Sequence, residues 1–533
     1  MSSLPLMNGG LWDSGAFHAR PYASSAIIGA LLFFLMLAAD YMNNWHKKRR
    51  LGGIAIVGDA PHLWRRLRTK PVNHRAYFQE GYDKYSKKSR PYAVWQQNDD
   101  FIIVMPPGTE EEIKNVGPDR LSFLHAVDDS YHFWLHTKIL GRSHIDAVRV
   151  LNKHLREIHE TVIKQSDKTI PEYFDPLARD HEPFPAFMAV WHLTHVVAAS
   201  VLIGPEFARN RRYIEAIKYY CLQAPAFAHM YFWLPAPIRK MYWYLSPQGA
   251  EIRKSLKTLK GEVGPEIRRN LAAWRKGEKV RKEPTLLRAI LDVKAETGQI
   301  KRDIKSVDKA EEERQIDRFE DEFIFTGFDS AGPVVCLVVQ LLFETIRHKH
   351  VIEPLRQEIS AALAANGGEW TDQAMTFMPR LDAFTREVLR VDGPTLFSMT
   401  RSVRQPVQLK TPGGLRLRPG SMITSPSWMI HNDEDFYEKA HVFDPWRFYD
   451  EKTNTVTTKS TSSSSKFLVY GYGTGICPGR HIGVRWSQIQ FAKLLMRYDA
   501  EFEDVLKGKP DNVVMPGMLL PPYDAKIVLQ PRN

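Results

Sequence analysis

The chain has 533 residues, 44% of them hydrophobic, with no internal repeat and no long interior linker, which predicts one large catalytic domain behind an N-terminal appendage. Three cysteines, Cys221, Cys336 and Cys477, are too few and odd in number for a disulfide framework, so the domain is expected to face a reducing compartment. The net charge of +12 fits a membrane surface or an acidic protein partner; basic residues scattered through helical segments, with no recognisable binding module, exclude nucleic acid.

Residues Tyr22 to Tyr41 are almost wholly apolar with aromatics at both ends, which is the length of a bilayer-spanning helix. Lys47-Lys48-Arg49-Arg50 follows, placing residues 1–21 on the lumenal side and the catalytic domain in the cytosol, and no small-residue cleavage pattern marks a removed signal. A buried core helix is the other reading of the run. Residues 42–60 read as a basic, Gly-rich linker and 61–533 as the catalytic domain.

Short strand-like pieces such as Phe101 to Met105 predict a small sheet near the membrane, and helical spacing of apolar residues over Ser143 to Gln165 and Glu251 to Glu296 predicts a helical body. The fold class is mainly α with a small β-rich lobe. Met230 to Pro247 mixes aromatics with Arg239 and Lys240, suiting either a lipid interface or a buried hairpin.

Within the apolar helix expected over Asp321 to Glu344, Thr326-Gly327-Phe328-Asp329-Ser330-Ala331 sets an acid beside a hydroxyl. Such groups cost desolvation energy unless they are used or satisfied, although a solvent-facing pair beside a distortion at Pro333 would also account for them. Glu387 and Arg390 lie three apart on one helical face, by themselves an ordinary ion pair. Downstream come Phe443-Asp444-Pro445-Trp446-Arg447-Phe448 and then Thr453 to Lys466, a Ser/Thr-rich stretch that reads as a loop with nothing to pack.

Tyr470-Gly471-Tyr472-Gly473-Thr474-Gly475-Ile476-Cys477-Pro478-Gly479-Arg480 then joins a glycine-rich loop, a thiol and a helix start. A lone cysteine is usually a small buried hydrophobe. Here glycines let backbone pass under a flat ligand, and the helix end is expected to lower the thiol pKa, an arrangement suited to a thiolate on haem iron.

These motifs, in this order, resemble those of the cytochromes P-450 over nearly the whole chain after the anchor, most like membrane-anchored fungal enzymes of specialised metabolism. Tyr470, Gly473 and Gly479 match the family's haem-binding loop, whereas Gly475 stands where the family has an Arg or His that pairs with a haem propionate. The resemblance implies the P-450 fold, haem with Cys477 as axial iron ligand, and Asp329 and Ser330 as the proton relay, Ser330 replacing the commoner threonine. It further implies a Glu387, Arg390 and Arg447 structural core, and propionate contacts from Arg401 and from Arg149, with His144 nearby. Thr395 to Met399 and Met515 to Leu520 match segments that face the substrate.

The implied activity is a monooxygenase taking electrons from NADPH through a reductase. It would act on a lipophilic terpenoid or polyketide-type intermediate from a single-pass position in the endoplasmic reticulum membrane, with the catalytic domain cytosolic. A haem-thiolate isomerase, or a non-catalytic haem protein for electron transfer or sensing, are the alternatives; the Asp329–Ser330 pair counts against the isomerase.

Overall fold

The computed structural model describes residues 14–58, 74–96, 100–137, 143–234, 236–302, 308–410, 414–515 and 517–532. The chain is 60% helical with several small sheets, in agreement with the mainly α expectation.

The anchor is one helix, Ser14–Arg50, and Leu31, Leu32, Phe34 and Leu35 project from it without cover. Its segment Ile27–Arg50 is long and apolar enough to cross a membrane and only 6% buried, unlike the equally apolar Lys309–Arg347, which is 72% buried and therefore a core helix. The expected linker differs from the reading above: residues 42–50 continue the helix, and Ala55–Val57 already pairs in the sheet. Arg50 explains why the junction is short. Its guanidinium pairs with Asp100 at 2.5 Å and donates to the Gly420 carbonyl at 2.8 Å, clamping the anchor's end to the β-rich lobe.

That lobe is a six-stranded mixed sheet in the spatial order Ala55–Val57, Tyr92–Trp95, Phe101–Val104, Met422–Ser425, Ser398–Val403, Leu121–Ser122. Phe101–Val104 is buried on both faces, which is why it reads as an unbroken apolar run. The lobe has its own apolar core around Phe78, Tyr92, Ile103 and Ile423.

The helical body wraps the 39-residue helix Lys309–Arg347, whose residues Phe323, Val335, Val338 and Leu341 are fully covered. The two amphipathic stretches are each broken. Ser143–Leu151 and Leu155–Asp180 flank a 3₁₀ turn, and Pro247–Arg275 is separated from Leu286–Glu296 by a turn through Gly277. Met230 to Pro247 spans the end of Arg211–Trp233 and the helix Ala236–Leu245. It satisfies both earlier readings on different faces: Tyr231, Phe232 and Trp243 are buried, while Met230, Ile238, Met241, Tyr244 and Leu245 are exposed.

Candidate active site

The cysteine loop is shaped by backbone hydrogen bonds before any side chain is considered. Cys477 N–H donates to the Tyr470 carbonyl at 2.8 Å, and Thr474 donates through both N–H and Oγ1 to the Lys114 carbonyl at 2.9 and 3.0 Å. Gly473 sits at φ +75°, and a methyl there would overlap the Lys114 backbone, so only glycine brings the loop this close. Helix Arg480–Arg497 starts three residues after the thiol. Arg480 donates to the Cys477 carbonyl at 3.0 Å, and Asn152 to the Pro478 carbonyl at 2.8 Å.

The Cys477 thiol keeps open surface although protein lies close around it, so it sits in a recessed chamber. Burial pushes the thiol up to about 11, with the Asp329 carboxylate adding to the shift, while the N–H groups of Gly479 and Arg480 pull against it. Desolvation therefore outweighs the lowering expected from the helix end.

Behind the loop lies a dense polar scaffold. Glu387 and Arg390, both fully buried in helix Pro379–Asp392, form a two-pronged pair at 2.7 and 2.8 Å, and Arg447 reaches the same carboxylate at 3.2 Å. Arg390 also donates to the carbonyls of His431 and Ala440 at 2.6 and 2.7 Å, pinning the segment that leads to the cysteine. The Ser/Thr-rich stretch was expected to pack against nothing; instead it is a buttress. Ser460 is wholly buried with its hydroxyl on Asp382, and its carbonyl accepts from Tyr470 Oη at 3.0 Å. Arg386 donates to the Lys459 and Ser462 carbonyls at 2.8 and 2.9 Å, and Ser463 Oγ donates to Gly471 at 2.5 Å.

Across the chamber, Asp329 lies within electrostatic reach of both Cys477 and Tyr131. It has no hydrogen-bond or ion-pair partner among the described residues, and enclosure by protein raises its carboxyl above the usual carboxylate range. Pro333, four residues on, has no N–H to offer the Asp329 carbonyl, which is left without its intrahelical partner although the helix runs on unbroken. Ser330 Oγ donates to the Gly327 carbonyl at 3.3 Å, and Thr326 turns back onto Glu322 at 2.8 Å. Phe325 and Phe328 meet Phe133 edge-on at 5.2 and 4.9 Å; Phe133 and Phe325 are buried in the core, and of the three rings Phe328 alone keeps open surface.

The two stretches expected to face substrate are joined: Thr395 bridges Met518, and Leu396 N–H donates to the Gly517 carbonyl at 3.1 Å. A cluster the sequence reading missed pins them. Lys509 pairs with Asp392 and Glu344 at 2.6 and 2.5 Å, and Asn512 links Asp392 to Gln340 at 2.6 and 2.7 Å. These residues are far apart in sequence, and no local pattern announces them.

Arg401 is carried toward the cysteine loop by an irregular register between Ser398 and Arg401, with Met399 at φ 55°. Among the described residues its guanidinium donates to the carbonyls of Thr400 and Gly475, at 2.8 and 3.5 Å. It has no carboxylate partner among the described residues, and burial lowers it to about 10. Any side chain at Gly475 would overlap that guanidinium, so the glycine makes room for Arg401. Arg149 is half exposed, paired with Asp146 at 2.9 Å, and touches the Thr474 carbonyl at 3.4 Å, whereas His144 packs on Phe325 at 5.4 Å.

The chemistry of these donors fits haem. Among the described residues no cluster of three His, Cys, Asp or Glu side chains could hold a bare ion, so one thiol suits a metal that brings its other ligands with it. The buried, anion-less Arg401 suits a carboxylate on such a group.

Comparison with known proteins agrees. A family model described as Cytochrome P-450 matches residues 147–529. The cytochrome P-450 monooxygenase verB of Clonostachys rogersoniana is 55% identical over 518 residues, covering 97% of this chain and 100% of that protein. The bicoumarin synthase desC of Aspergillus desertorum is 28% identical over 525 residues, covering 95% and 96%. Among solved structures, retinoic acid bound cyanobacterial CYP120A1 matches with a TM-score of 0.63 at 16% identity, covering 86% of this chain and 95% of that one, a likeness of fold.

Proposed function

The chain belongs to the cytochrome P-450 family, and from that premise we propose that Cys477 would hold its haem iron as a thiolate and that Asp329 and Ser330 hold and pass the protons the reaction consumes. The protein is a haem-dependent monooxygenase of fungal secondary metabolism, supplied with electrons from NADPH by a reductase and acting on a lipophilic small molecule. Bound haem supplies the iron at which dioxygen is activated, with the thiolate favouring cleavage of the oxygen–oxygen bond.

The residues divide the remaining work. The N–H groups of Gly479 and Arg480 favour negative charge on Cys477 Sγ. Arg401 takes a haem propionate, filling the role left open at Gly475, and Arg149 lends a second, more exposed contact. Asp329 holds its proton more tightly than an exposed aspartate, which suits a donor, and Ser330 extends its reach. The anchor helix holds the protein in the endoplasmic reticulum membrane with a single pass and the catalytic domain in the cytosol.

The observation that carries this reading is that the Cys477 thiol, open yet ringed by protein, lies within electrostatic reach of an Asp329 carboxyl that has no partner among the described residues. The substrate is a terpenoid or polyketide-type intermediate; the half-buried Phe328 beside Asp329 and the name of the Aspergillus desertorum relative favour a flat aromatic one. That name also supports a second reading, oxidative coupling of two such molecules.

The test is turnover with a fungal reductase, NADPH and isotopically labelled dioxygen on extracts of the native pathway. One labelled oxygen atom in a product supports monooxygenation, and a dimer without label supports coupling. Product formed without NADPH would contradict both.

A further inference from the structure

Tyr131 ends the helix Phe123–Tyr131, and the next residue fixes it there: His132, at φ 54°, donates its N–H to the Asp128 carbonyl at 2.7 Å. The phenol shares the property that marks Cys477 and Asp329. It keeps some open surface although protein surrounds it, so that surface faces the chamber. Burial, and then the Asp329 carboxylate, push the phenol up to about 12, so at neutral pH it is a donor.

Its acceptor is a poor one. Among the described residues the O–H donates only to Met518 Sδ, at 3.5 Å, and a thioether is a weak acceptor that an oxygen would displace at a gain. Met518 belongs to the hairpin that bridges Thr395. The Tyr131 ring lies 5.6 Å from Phe133, which meets Phe328 on the helix that carries Asp329. The phenol thus stands where its own helix, the Met518 hairpin and the Asp329 helix come together, with the half-buried Phe328 nearby.

We infer that Tyr131 is a specificity-determining residue whose phenol donates to a carbonyl oxygen of a flat aromatic substrate lying against Phe328. The inference rests on the monooxygenase reading of the chamber and names the substrate chemistry that the chamber selects.

The test uses the full-length haem protein and two probes of matched shape: coumarin, and chromene, the same ring system without the carbonyl. Affinity is read from the substrate-induced spin-state shift of the Soret band. Wild type is expected to bind coumarin more tightly by roughly three- to tenfold, the reach of one neutral hydrogen bond. Tyr131→Phe should abolish that preference while leaving chromene affinity and the reduced carbon monoxide spectrum unchanged. A preference that survives in Tyr131→Phe, or wild type that favours chromene or shifts with neither probe, would overturn the inference. Wild type lacking the red-shifted reduced carbon monoxide band would instead remove the monooxygenase reading, and the inference with it.

Discussion

On the cysteine side of the chamber, the Glu387 carboxylate accepts from two arginines and from the Asp444 N–H, and the loop's carbonyls and hydroxyls are bound in turn. On the distal side, Asp329 has no partner among the described residues, Tyr131 has a thioether, and the rings around them belong to phenylalanines. A buried ionic network gains little net stability for its desolvation cost, but it admits one geometry, which is what a metal ligand requires. Polar groups left short of partners among aromatic rings cost stability and remain available to substrate and protons. The fold over-determines the side that must not move and under-satisfies the side that must react.

Breaking the scaffold should have the largest effect. Glu387→Ala leaves Arg390 buried without its carboxylate, a loss of about 3–5 kcal/mol; the expected outcome is little soluble, haem-loaded protein, and normal haem content would show that the scaffold is dispensable. Breaking the distal side should spare the fold and damage the chemistry. Asp329→Asn should keep haem content and substrate binding while lowering coupled product formation by about 10²- to 10⁴-fold, with hydrogen peroxide appearing in its place. Ser330→Ala should do the same more weakly, and Ser330→Thr should be mild. Wild-type coupling in both removals would make the pair structural.

Two smaller changes sharpen the contrast. Ser460→Ala removes the hydroxyl that holds Asp382, at about 1 kcal/mol, and should lower the unfolding temperature without altering coupling. Deleting residues up to Asn44 keeps the Arg50 clamp, so haem binding should persist while the protein leaves the membrane fraction. Tight membrane retention would point to the exposed face of Met230, Met241 and Leu245 as a second contact.

Legibility in the sequence follows the same division. The cysteine loop, the Glu387–Arg390 pair and the Asp329–Ser330 pair were readable because each is a local pattern whose chemistry dictates its spacing, and the anchor because its length is set by a bilayer. The polar partners that complete them were not: Lys114 under Thr474, Ser460 on Asp382, and Lys509 between Glu344 and Asp392 are long-range pairings with no local signature. The Ser/Thr stretch misled because its low complexity resembles a free loop, whereas its short hydroxyls and carbonyls suit it to bridge buried donors. The thiol pKa was misjudged because helix-end N–H groups are visible in sequence and desolvation is not.

The central claim, that Cys477 gives haem its thiolate, is tested most directly by the reduced carbon monoxide spectrum of Cys477→Ser. An alcohol cannot supply an anionic sulfur, so the red-shifted Soret band should be present in wild type and absent in the variant, with Glu387–Arg390 and the fold intact by circular dichroism. A variant that keeps the red-shifted band would contradict the account.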